Sequence, residues 1–182
     1  MSWTWLIIIL VIALIISPIA TLMPTKRQRA SARLRTHAAI QGLRVRMAEL
    51  SSGEAKYSGT ILPIYALPWQ SEQDKALTKL PSWQLVRIKY SHEIHFFHDW
   101  DWGSKSLKAE DRWLQPLFDL FTQAQSDPLF DRFQVLEWNA QGVQIAWTES
   151  AAINDVDRIV QLLQELKAFA KGEQQTLHWP PG

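Results

Sequence analysis

Ten consecutive residues concentrate the side chains that could do chemistry: His92-Glu93-Ile94-His95-Phe96-Phe97-His98-Asp99-Trp100-Asp101. Three imidazoles and three carboxylates in such a run are a donor set for a divalent metal. The spacing does not gather them. On a strand, His92 and His98 share a face and His95 points the other way. On a helix, His92 and His95 are neighbours and His98 is rotated away. Ordinary zinc-ligand spacings are absent, and no second cluster elsewhere supplies further ligands. The plainer reading is a hairpin and an exposed turn with amphipathic aromatics. A metal-dependent enzyme or regulator using His92, His95 and His98 therefore stands as an alternative to a non-catalytic role, and no cofactor is expected. The aspartates of Asp99-Trp100-Asp101-Trp102-Gly103 lack the spaced acids and closing glutamate of a calcium loop. Trp100 and Trp102 either offer a partner surface, since tryptophan is favoured at interface hot spots, or pack under the next helix.

Other catalytic signatures are missing. The chain has no Gly-rich phosphate cradle and no nucleophile elbow. It has no cysteine, so thiolate chemistry and disulfides are excluded. Pairs such as Glu110-Asp111 are neighbours at a helix start, where capping accounts for them.

The strongest signal is at the beginning. From Trp3 to Met23 no side chain is charged, and Leu, Ile and Val dominate. Such a run is long enough for a hydrocarbon core ~30 Å thick. Lys26, Arg27, Arg29, Arg33 and Arg35 follow at once. Basic flanks resist translocation, so residues 1–24 are expected to be a transmembrane signal anchor with its N-terminus periplasmic. A cleaved signal peptide would carry its positive charge before the apolar run instead. The remainder is then expected to be cytoplasmic. Trp3 and Trp5 fit one interfacial belt, and the basic residues fit anionic headgroups at the other. Ala13, Ser17 and Thr21 recur every four residues as a face for helix pairing with a membrane protein partner.

Charge is unevenly divided. Residues 1–47 carry seven Lys/Arg and no acid, whereas residues 48–182 carry twelve against eighteen Asp/Glu. The net +1 therefore conceals a basic collar on an acidic domain, which argues against nucleic-acid binding. Oligomeric state has no signature.

The elements that position these residues follow from periodicity. Residues 25–42 read as a basic juxtamembrane helix with a thin stripe of Ala30, Leu34 and Ala38, stopped by Gly42. Residues 43–172 read as one α+β domain with a largely antiparallel sheet and two packed helices. Strands are expected at 43–47, 58–67 (edge or bulged, because of Pro63), 84–90 and 93–98. A helix follows over 106–124, with Leu114, Leu117, Phe118 and Phe121 buried. Phe133–Trp138 and Val143–Thr148 form a hairpin. A last helix spans 155–171, capped by Asn154 and stopped by Gly172. Residues 173–182 read as a flexible tail.

The opening also carries a resemblance. An outward-facing anchor, then Pro24-x-Lys26-Arg27-Gln28-Arg29, a short basic helix and a strand after Gly42, resembles the small accessory subunit of the bacterial Sec preprotein translocase. Over its whole length the chain resembles single-pass proteobacterial membrane proteins grouped with that subunit. The shared pattern covers residues 3–50. The resemblance implies an accessory component of protein export that touches membrane-embedded translocon components and has no activity of its own. The hairpin at 133–148 and the last helix have no counterpart in it. The expectation is thus a non-enzymatic, membrane-anchored interaction or scaffold protein with a cytoplasmic partner-binding domain.

Overall fold

A computed structural model describes residues 3–22, 25–50, 55–70, 72–88, 96–103, 111–149 and 152–182; within the first helix, side chains are described over 3–13. The elements are α1 (Trp3–Leu22), α2 (Lys26–Ile40), β1 (Arg44–Glu49), β2 (Ile61–Pro68), β3 (Trp83–Arg87), β4 (Trp100–Trp102), α3 (Asp111–Ala124), β5 (Phe133–Asn139), β6 (Gly142–Trp147) and α4 (Ile153–Lys171). Six strands form one sheet in the order β1-β2-β6-β5-β3-β4. Every neighbouring pair is antiparallel. The α+β class and the antiparallel sheet agree with the sequence.

α1 is a 20-residue helix without a charged side chain, about 30 Å long. Among the described residues no helix is long and apolar enough to cross a membrane. The described side chains of α1 end at Ala13.

α2 starts with a capping box. Gln28 N donates to Thr25 Oγ1 at 3.2 Å, and Thr25 N donates to Gln28 Oε1 at 2.8 Å. The helix ends before Gly42, whose φ of +87° suits a residue without Cβ. The sequence sets α2 apart as a juxtamembrane segment. The structure builds it into the domain instead, because Leu34 and Ala38 are buried in the main core. Burying one leucine stabilises by roughly 1.5–3 kcal/mol, so this stripe is an attachment rather than a linker.

The helices cover one face of the sheet. Tyr65, Trp83, Leu85, Trp100, Trp138, Ile145 and Trp147 from the strands meet Trp113, Leu117, Phe121, Ile159 and Leu163 from α3 and α4. A smaller cluster of Leu50, Leu62, Ile64, Val86, Ile88, Val135 and Ala146 lies on the other face. Alternation along β2 assigns Tyr65 to one cluster and Ile64 to the other.

Several expectations need correction. β2 is an interior strand, not an edge. Its pairing with β6 begins at Ile64, so the ladder stops where Pro63 has no N–H to offer. β3 lies between β5 and Trp100–Trp102; of the strand expected at 93–98, residues 93–95 lie outside the described residues. The buried face of α3 is Trp113, Leu117, Leu120, Phe121 and Ala124, and Phe118 is 44% exposed. α4 begins at Ile153 after Ala152, so Asn154 lies inside the first turn and does not cap it. Nor is the end of the chain loose. Leu177 is buried, and Trp179 Nε1 donates to Asp127 Oδ2 at 2.8 Å while Arg158 Nη2 donates to the Pro180 carbonyl at 2.8 Å.

Candidate functional site

A buried polar arrangement joins α2 to the end of β6. Arg35 and Ser31 are one turn apart on α2 and share a face. Tyr65 sits on the helix-covered side of β2, opposite Ile145 of β6. Glu149, two residues past β6, enters the space between them. Arg35 Nε donates to Glu149 Oε1 at 2.8 Å, and Nη2 donates to Oε2 at 2.8 Å. Tyr65 OH donates to Oε1 at 2.9 Å. The Glu149 side chain is only 8% exposed, against 37% for Arg35.

Burial alone pushes the Glu149 carboxyl upward. The hydrogen bonds from Arg35, Ser31 and Tyr65 outweigh it, and the carboxyl lies below its ordinary value. The bond to Glu149 raises Arg35 further. Burial, followed by the neighbouring carboxylate, holds the Tyr65 hydroxyl well above the usual phenolic range. A carboxylate so supplied with donors has a low proton affinity, which suits a strut better than a general base.

Beside this strut lies a groove with a volume of about 930 Å³, within the range of small-molecule sites. Its basic lining is Lys26, Arg27 and Arg35 from α2, with Arg132 from the turn before β5. Its apolar lining is Met47 of β1 with Ile61, Leu62 and Pro63 of β2. Met47 is 48% exposed and Ile61 62% exposed. Thr148 N donates to the Arg132 carbonyl at 2.9 Å and so fixes the floor near Glu149.

The predicted residues divide as follows. Trp3, Trp5 and Ala13 are exposed on α1. Ser17 and Thr21 belong to the α1 backbone, and their side chains lie outside the described residues. The collar splits into two sets: Lys26, Arg27 and Arg35 line the groove, while Arg29 and Arg33 are exposed outside it. Arg35 is thus less a headgroup contact than the partner of a buried acid. Trp100 is fully buried, centroid to centroid 5.2 Å from Phe121 and 5.6 Å from Phe130, so it offers no partner surface. Trp102 is half-buried against Phe96 and Trp83. The reason is the α3 and Phe130 layer laid over β4, which takes the tryptophans into the core.

His92 and His95 lie outside the described residues. His98 is exposed at a φ of +47°. It borders a cavity of about 210 Å³ with Arg87, Asp99 and Asp131. Arg87 Nε lies 3.0 Å from Asp99 Oδ2, with its guanidinium over the Trp100 and Phe130 rings. That resident cation competes with a metal for the same acids. Among the described residues no three His, Asp or Glu side chains could hold a metal ion.

Sequence reasoning missed Glu149, Tyr65 and Arg132. Each is an isolated residue in a strand or turn, and only the sheet order brings it beside α2. Comparison with known protein families, curated sequences and solved structures gives no match.

Proposed function

We propose that this chain is a non-enzymatic, membrane-anchored interaction protein of the bacterial inner membrane. α1 is the tether, with its N-terminal end periplasmic. The α+β domain lies on the cytoplasmic side, at the surface, and binds a membrane protein partner or a peripheral one.

One observation carries this reading. The uncharged α1 runs within four residues into basic α2, and α2 is locked to the domain by Leu34, Ala38 and the Arg35–Glu149 pair. A linker would let the domain diffuse away from its anchor. Here the first folded element after the apolar helix is already part of the core. The saturated Glu149 and the arginine-occupied acids near His98 support a binding role over a catalytic one.

Photocrosslinking in cells tests it, with probes at Ala13 in α1 and Ile61 in the groove, followed by mass spectrometry. Adducts to a membrane-embedded or membrane-associated protein are expected. Translocon components among them would make the partner the one implied by the resemblance over residues 3–50. A chain recovered without detergent, with adducts to neither protein nor lipid, would overturn the proposal.

A further inference from the structure

We infer that the groove between α2 and the β1–β2 strands is a binding site for an acidic phospholipid, headgroup on the basic wall and acyl chain on the apolar one. This deepens the tether reading, which places the groove beside a lipid surface.

Three features converge on that chemistry. First, the site is divided by polarity. Lys26 and Arg27 come from α2 and Met47 and Ile61 from the strands, and Arg132 joins the basic lining from the turn before β5. A free anion has no use for the apolar lining, and an uncharged hydrocarbon has none for the basic one. Second, apart from Arg35, the groove's cations are uncommitted among the described residues. Glu149 is the only acid lining the groove among the described residues, and Arg35 and Tyr65 already saturate it. Lys26, Arg27 and Arg132 make no ion pair with any described residue. Guanidinium pairs phosphate in forked geometry, and each basic group near an anionic leaflet contributes about fivefold in affinity. Third, Arg132 belongs to the wall although it lies almost a hundred residues beyond the collar in a domain of acidic balance. A topology determinant needs no such residue, whereas a phosphate clamp closing from two sides does.

The exposed methionine and isoleucine complete the case. Met47 pairs with Pro63 and Ile61 with Glu49, so Met47 and Ile61 lie diagonally on one face of the β1–β2 pair, and both stay open to solvent. A single acyl chain lying along them would remove that apolar surface from water.

The test uses the full chain in neutral detergent micelles, with dioleoyl phosphatidylglycerol or dioleoyl phosphatidylcholine added, read by native mass spectrometry. Retention of phosphatidylglycerol about tenfold above phosphatidylcholine is expected. Arg132→Glu and Ile61→Asp should each cut that retention about fivefold or more. Both positions are exposed, and an unchanged circular dichroism melt verifies the fold. Arg33→Glu removes a collar charge outside the groove and should leave retention within twofold. Equal loss with Arg33→Glu would mean diffuse collar electrostatics and overturn the site. So would full retention in Arg132→Glu and Ile61→Asp. Displacement by millimolar inorganic phosphate would assign the basic wall to a free anion and overturn the lipid. The micelle assay does not require α1 to span a bilayer. Carbonate extraction of the unmodified chain from membranes tests the tether separately, so the two failures are distinguishable.

Discussion

Cutting the Arg35–Glu149 pair from its two ends should give unequal losses, and the inequality follows from burial. Arg35→Ala leaves a carboxylate that is 8% exposed with only Tyr65 and Ser31 to satisfy it. Glu149→Gln leaves a guanidinium that is 37% exposed and can turn to water. Removing one partner of a fully buried pair costs about 3–5 kcal/mol. Arg35 is more than a third exposed, so solvent screening lowers this to roughly 2–3 kcal/mol for Arg35→Ala. Losing charged hydrogen bonds while the amide still accepts from Tyr65 costs about 1 kcal/mol for Glu149→Gln. With a urea slope on the order of 1–3 kcal/mol per molar, Arg35→Ala should lower the midpoint by about 1–2 M and Glu149→Gln by about half a molar. Five buried tryptophans, at 83, 100, 113, 138 and 147, make fluorescence the direct readout.

The pH dependence separates the mechanism from a packing loss. In the parent protein the Glu149 carboxyl is depressed. Its stabilising contribution is therefore complete above the ordinary glutamate range and disappears as pH falls through the lower folded value. Without Arg35, burial dominates and the folded carboxyl rises above its ordinary value. The Arg35→Ala deficit is then present at neutral pH and shrinks as acid neutralises Glu149. Glu149→Gln has nothing to protonate there, and its smaller deficit closes in acid only because the parent loses the Glu149 charge. Equal midpoints for the two variants, or an Arg35→Ala deficit that does not shrink in acid, would refute the reasoning.

Other outcomes follow from the same packing. Burial raises the Asp127 carboxyl, but bonds from Arg158, Trp179 and the Leu129 backbone bring it from 3.8 down to about 2. Its contribution, on the order of 1–2 kcal/mol, is present above pH ~4 and lost as pH falls toward ~2, so Asp127→Asn should lower Tm at pH 7 and converge with the parent in acid. A Cβ at Gly142 would meet the Leu67 carbonyl oxygen at 2.4 Å, backbone against backbone, so Gly142→Ala should force β2 and β6 apart and lower Tm by about 5 °C. Leu34→Ala should cost about 2–5 kcal/mol in urea unfolding, whereas an α2 independent of the domain would leave the midpoint unmoved.

Local signals in the sequence reached far. Thr25 and Gly42 bound α2, and Asn139 and Gly142 bracket the tight turn between β5 and β6, where Asn139 Oδ1 accepts from Gln141 N at 2.8 Å. Strand neighbours were harder to read. Nothing in residues 58–67 says that β6, some eighty residues later, will lie beside them and make Pro63 interior. The Phe118 error has the same origin. Trp113 and Leu120 fit the same helical period, and only the packing partner decides which side faces inward. The site was the least legible part. Its basic wall was visible as a run, but Arg132, Tyr65 and Glu149 are single residues whose meaning depends on the sheet order. The tail misled because Trp179 looks terminal until Asp127 and Arg158 are placed beneath it.

The central claim is that α1 holds the chain in a bilayer, with the folded domain on the side of the arginines. Because the chain has no cysteine, single replacements report position without background. Ser2→Cys and Glu173→Cys, treated in intact spheroplasts with a membrane-impermeant maleimide, give the most direct measurement. Ser2→Cys should react at once and Glu173→Cys only after lysis. Reaction of Glu173→Cys in intact spheroplasts, or recovery of either variant in the soluble fraction, would contradict it.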